Sequence, residues 1–135
     1  MAAPRATLRV LFDTPVLIDL LERKPRSIGR LRLLADQGAR LGISIVTYAE
    51  VYAGIGEGEQ ERTEKLLDLF DVVQMTEPLA RKAAELTAAR RRLGKSYSLD
   101  DMLIAATALA YNAQLYTTNK KDFEVPGLSF YALER

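Results

Sequence analysis

Apolar residues follow two rhythms along the chain: short unbroken runs, and longer stretches in which they return every third or fourth position. The first rhythm predicts buried strands and the second amphipathic helices. Residues 8–12 form the first run, which stops at Asp13-Thr14-Pro15, where a capping side chain followed by proline starts a helix over 16–22. That helix closes at the Lys24-Pro25 turn, and a second covers 27–37, with Ile28, Leu31 and Leu34 on one face and Gly38 as its stop. The β-branched run 41–46 predicts a second strand. Thr47 then opens a helix that ends near Gly54, Gly56 and Gly58, followed by a helix over 59–69 and a strand over 70–74. Over 78–93, Leu79, Ala83, Leu86 and Leu93 share a helical face, and Gly94 ends it. The helix 101–111 is apolar nearly all round, through Met102, Leu103, Ile104, Ala105 and Ala106, which predicts burial in the middle of the fold. Residues 115–117 give a fourth strand and 128–131 a candidate fifth.

Short apolar strands alternating with helices predict an α/β fold of three layers, α/β/α, around a mostly parallel central sheet of four to five strands. Ligands of such sheets bind beyond the carboxyl ends of the strands. With 135 residues, 48% of them hydrophobic, one core and one domain over 1–135 are expected. No leading charged and apolar segment suggests export, and the uncharged stretch 102–119 is too often interrupted by polar residues to span a bilayer. A cytoplasmic protein with no membrane role is the expectation.

The absences narrow the chemistry further. With no Cys and no His, the chain builds no disulfide, no Ser-His or Cys-His nucleophile pair, no His-based acid and base for RNA cleavage and no His/Cys zinc site. Carboxylates holding a hard cation are the natural alternative. A net charge of +1 gives no global pull toward nucleic acid, so local basic patches would have to supply it: Arg23, Lys24 and Arg26; Arg90, Arg91, Arg92 and Lys95; Lys120 and Lys121.

Asp13 follows the first strand, Glu50 falls in the first turn after the second, and Asp122 lies just past the fourth, all on one edge of the predicted sheet. Asp101 joins them only if the buried helix starts at that edge. Gathering such acids within ~5 Å costs several kcal/mol of repulsion, which a divalent cation such as Mg²⁺ or Mn²⁺ relieves. A plainer account exists for each. Asp13 reads as a helix cap, Thr47 to Glu50 as a capping box, Ser98 to Asp101 as another, and Asn119 to Asp122 as a further cap. Spacing alone leaves the two accounts level.

Four blocks of sequence taken together resemble a known family: Leu11-Phe12-Asp13-Thr14-Pro15-Val16-Leu17-Ile18-Asp19-Leu20-Leu21; Ile43-Ser44-Ile45-Val46-Thr47-Tyr48-Ala49-Glu50-Val51; Asp101-Met102-Leu103-Ile104-Ala105-Ala106-Thr107-Ala108; and Thr117-Thr118-Asn119-Lys120-Lys121-Asp122-Phe123. In order and spacing they are similar to the signature blocks of PIN-domain proteins, in particular VapC-type toxins of bacterial toxin-antitoxin pairs. The resemblance spans residues 8–131. It implies a Mg²⁺- or Mn²⁺-dependent endoribonuclease, usually a homodimer, held inactive by a VapB-type antitoxin. By the same resemblance Asp13 and Asp101 are the primary metal ligands, and Glu50 binds directly or through water and orients the nucleophile. The fourth acidic position falls at Asn119 or Asp122; the first is an amide here, which favours Asp122. Thr14 and Thr117 are expected to hydrogen-bond within the site. Arg92, Lys95, Lys120 and Asn119 are expected to position RNA, with the basic patches around 90–95 and at Lys120-Lys121 on its phosphates.

Asp19, Glu22 and Asp100 match none of the family's acids and are read as surface or capping residues. No aromatic run marks a base-stacking platform, so the RNA is not readable from the sequence. Two rival readings remain. Phosphoryl transfer through an aspartyl phosphate is disfavoured because Pro15 stands where a second Asp is wanted; a non-catalytic binding module would use the acids only as caps.

Overall fold

The computed structural model describes residues 7–131; the two ends of the expected 1–135 domain lie outside the described residues. Four strands, β1 (Arg9–Phe12), β2 (Arg40–Ser44), β3 (Asp71–Val73) and β4 (Gln114–Tyr116), pair in the order β3-β2-β1-β4. Every pairing is parallel. Among the described residues six helices cover the sheet: α1 (Thr14–Leu21), α2 (Pro25–Asp36), α3 (Ile45–Ala53), α4 (Gln60–Leu67), α5 (Glu77–Arg92) and α6 (Leu99–Tyr111). A 3₁₀ turn (Lys120–Phe123) follows β4.

Parallel strands need both faces covered, and the alternation of β1 divides the core in two. Val10 and Phe12 face α1 to α4, where they pack with Leu17, Leu34, Ile43 and Val51. Leu11 turns the other way, onto Ala83, Met102, Ala105 and Leu115. Phe12 anchors the first face, edge-on to Phe70 at 5.0 Å and tilted against Tyr116 at 5.1 Å. Burying each such side chain contributes about 1.5–3 kcal/mol. The expected central helix is α6, in which Met102, Ile104, Ala105, Ala106 and Ala108 are all buried.

Its direction settles where Asp101 lies. Asn112 ends α6 in the left-handed conformation, at φ 55°, and β4 begins two residues later, so the C-terminus of the helix sits at the amino edge of the sheet. The N-terminus, with Asp101, is therefore at the carboxyl edge. Close packing makes this possible at Gly42, where an added Cβ would come within 2.8 Å of the Tyr111 ring.

Two expectations need correction. The run 41–46 is not all strand: β2 stops at Ser44, whose Oγ accepts the Val46 amide at 3.0 Å and caps α3. A good cap outweighs the strand preference of Ile45 and Val46, which form the first helical turn instead. Thr47 is therefore no cap, the Thr47–Glu50 capping box does not form, and Glu50 falls in the second turn. Residues 128–131 make only an isolated parallel bridge, Leu115 to Phe130, rather than a fifth strand. Pro126 lacks an amide and Gly127 turns at φ 83°, which leaves too little straight chain to pair. Among the described residues no helix is long and apolar enough to cross a membrane.

Candidate active site

Asp13 is fixed by both the first and the last strand. Its extended backbone caps α1, its Oδ1 accepts the Thr14 amide at 2.8 Å, and its Oδ2 accepts the Thr117 hydroxyl at 2.8 Å. Its own amide donates to the Tyr116 carbonyl at 2.9 Å, and the residue is 3% exposed. The predicted cap is real, yet it uses only one of the two carboxylate oxygens. Glu50 is exposed, with its Oε1 accepting the Thr14 hydroxyl at 2.8 Å; that hydroxyl also lies 3.1 Å from the hydroxyl of Thr47. Thr14 and Thr117 thus hydrogen-bond to the acids as expected.

Asp101 is the third residue of α6, and its amide donates to the Ser98 Oγ at 3.4 Å, one half of the predicted capping box. Asp122 comes from the 3₁₀ turn, where the amide of Asn119 donates to the Thr117 Oγ at 3.0 Å and the Asn119 side chain caps nothing. All four acids, with Asn119, line one cleft of about 400 Å³. Asp19 lines it too, which corrects its reading as a surface or capping residue. It stands one turn of α1 beyond Pro15, and with Ile18 these residues form one wall of the cleft.

Among the described residues no basic side chain forms an ion pair with these acids, and every ion pair lies elsewhere, on exposed side chains. Burial and then the negative charges of Asp13, Asp122, Glu50 and Asp100 push the Asp101 carboxyl up to about 6. Burial also raises Asp13, against the lowering pull of its bonds from Thr117 and Thr14. Protonation or a cation relieves such a cluster. Among the described residues no three acids close tightly enough to enclose an ion alone. An all-oxygen, multiply anionic and open set suits a hard cation that keeps part of its water shell.

Of the basic residues, Arg92, Lys95 and Lys120 are exposed near this edge, with the Lys120 Nζ 5.8 Å above the Phe130 ring. Arg90 is not part of a phosphate-facing patch. It is 4% exposed, and its guanidinium donates to the carbonyls of Ser96 at 2.9 Å, Glu124 at 2.9 Å and Lys121 at 3.2 Å. It clamps the loop before Asp101 to the turn that carries Asp122.

A family model described as the PIN domain matches residues 10–127. The chain belongs to the PIN-domain family. This PIN domain is 32% identical to Ribonuclease VapC1 of Methanocaldococcus jannaschii over 117 residues, 86% of this chain and 79% of that protein. It is 34% identical to Ribonuclease VapC10 of Mycobacterium tuberculosis over 128 residues, 87% of this chain and 96% of that one. Among solved structures, a toxin-antitoxin complex from Klebsiella pneumoniae matches with a TM-score of 0.71 and 30% identity, covering 92% of this chain and 99% of that chain. The family match takes in Asp13, Glu50, Asp101 and Asp122.

Proposed function

We propose that this PIN domain is a Mg²⁺- or Mn²⁺-dependent endoribonuclease toxin, restrained by a VapB-type antitoxin. The observation that carries the reading is the convergence of Asp13, Glu50, Asp101 and Asp122 on one cleft without a counter-charge among the described residues. The names of its ribonuclease relatives and of the Klebsiella complex supply the substrate class and the partner. A homodimer and a cytoplasmic location belong to the same reading.

A bound divalent cation lowers the pKa of a coordinated water and offsets negative charge on a phosphate. Asp13 and Asp101 would be its primary ligands, Glu50 would hold it directly or through water, and Asp122 would complete the acidic set. Thr117 and the Thr14 amide hold Asp13 in one rotamer, and the Thr14 hydroxyl steers Glu50 toward the cleft. A bound cation would offset the burial and the neighbouring acids that raise the Asp101 carboxyl to about 6, favouring its ionised form. Asn119, Arg92, Lys95 and Lys120 position the RNA backbone.

Incubating purified, antitoxin-free protein with total RNA, with and without EDTA, tests this directly. Cleavage that EDTA abolishes and Mn²⁺ restores is expected; cleavage indifferent to EDTA rules the mechanism out. The rival reading, a module whose acids only cap helices, draws support from the Asp13 cap. Calorimetry separates the two, since Mn²⁺ heat that disappears in Asp13→Ala belongs to a metal site and not to a cap.

A further inference from the structure

The loop between α5 and α6 leaves Tyr97 49% exposed, with the guanidinium carbon of Arg91 5.2 Å from the centre of its ring. Tyr97 also lines a recess of about 140 Å³ whose other walls are Ser96, Ser98, Asp101 and Asp122. One side of the ring carries a cation, about half the residue stays open to solvent, and two of the cleft's acids share its recess. An aromatic ring beside a guanidinium is the combination on which unpaired bases stack, because every base offers a π-face regardless of sequence. A base inside a duplex has both faces taken by its neighbours, so such a ring selects single-stranded nucleotides.

Resting on the nuclease reading, we propose that Tyr97, braced by Arg91, stacks an unpaired base of the RNA next to the phosphate that a divalent cation would hold beside Asp101 and Asp122. The target is then a loop or an unpaired stretch and not a duplex. Arg91 supplies positive charge for the adjoining phosphate, which makes the contact sensitive to salt. No aromatic run signalled this in the sequence, because a single ring and a cation from the preceding helix make up the platform.

The chain contains no Trp, so Tyr97→Trp installs a lone indole where the base is expected. In an Asp101→Asn background, which is meant to bind without turnover, a labelled single-stranded oligoribonucleotide should quench the indole emission, and the same strand in a duplex should not. Tyr97→Ala should weaken the single strand about tenfold by anisotropy, with Tyr97→Phe restoring it. Binding without quenching, or equal affinity in Tyr97→Ala, overturns the platform and leaves the nuclease reading standing. If the unsubstituted protein binds no oligonucleotide, both fall. Quenching by a partner protein but not by RNA assigns the ring to protein docking and overturns the proposal.

Discussion

At the amino ends of the strands Asp71 is ringed by donors, whereas at the carboxyl ends Asp101 faces other acids. The Tyr111 hydroxyl donates to Asp71 at 2.8 Å and Arg40 at 2.9 Å, and Arg9 stacks on the Tyr111 ring at 5.1 Å. The bond from Tyr111, and then Arg40, holds the Asp71 carboxyl below its ordinary value. Asp101 is displaced the opposite way, up to about 6. The same residue type, at two ends of one sheet, is thus satisfied by the chain in one place and left for something else to satisfy in the other. The first arrangement is neutralised within the chain. The second costs stability, the pattern that a functional site shows.

The comparison breaks most sharply through the acids themselves. Asp13→Asn or Asp101→Asn should cut RNA cleavage by at least about 10²-fold, the scale of losing a group aimed at developing charge, while circular dichroism stays unchanged. Asp71→Asn should leave cleavage alone. Next in size is the clamp: Arg90→Ala strands three carbonyls and should lower stability by about 3 kcal/mol in thermal unfolding, with weaker Mn²⁺ binding. A clamp variant that melts with the unsubstituted protein would show that Arg90 holds nothing in place.

Proton linkage gives a smaller effect of opposite sign at the two edges. Asp101 binds its proton more tightly folded, at about 6 against an ordinary 3.8, so without metal its contribution is present below 3.8 and lost as pH rises through about 6. Asp101→Asn should then stabilise the metal-free protein at pH 7 by about 1 kcal/mol, discounted for its half-exposed position, and saturating Mn²⁺ should reverse the ranking. The Asp71 contribution runs the other way, present above the ordinary carboxylate value and lost as pH falls through its lowered one. Being exposed, it should be the weakest effect of all and fade with salt. Unfolding curves against pH, with and without Mn²⁺, read both.

Much of this was legible beforehand. The strand rhythm placed Asp13 and Asp122 at the carboxyl edge because each follows an apolar strand, while Asp101 stayed open until the direction of α6 brought it there. Local competition hid the rest. Ser44 takes over helix capping from Thr47, and nothing in a β-branched run announces that a hydroxyl one residue earlier will prevail. Arg90 reads as one of three consecutive arginines, yet helical rotation turns it inward while Arg91 and Arg92 stay outside. Burial of a single member of a charge run depends on which carbonyls wait beneath it, and those belong to residues 96, 121 and 124.

One pairing has a temporal consequence. β1 lies between β2 and β4, and the carboxylate of Asp13 takes a bond from Thr117, 104 residues further along. Loop closure over such a span is slow and comes after local helices have formed. During synthesis Asp13 is therefore made long before Thr117, and it stays unlocked until β4 slides in beside β1.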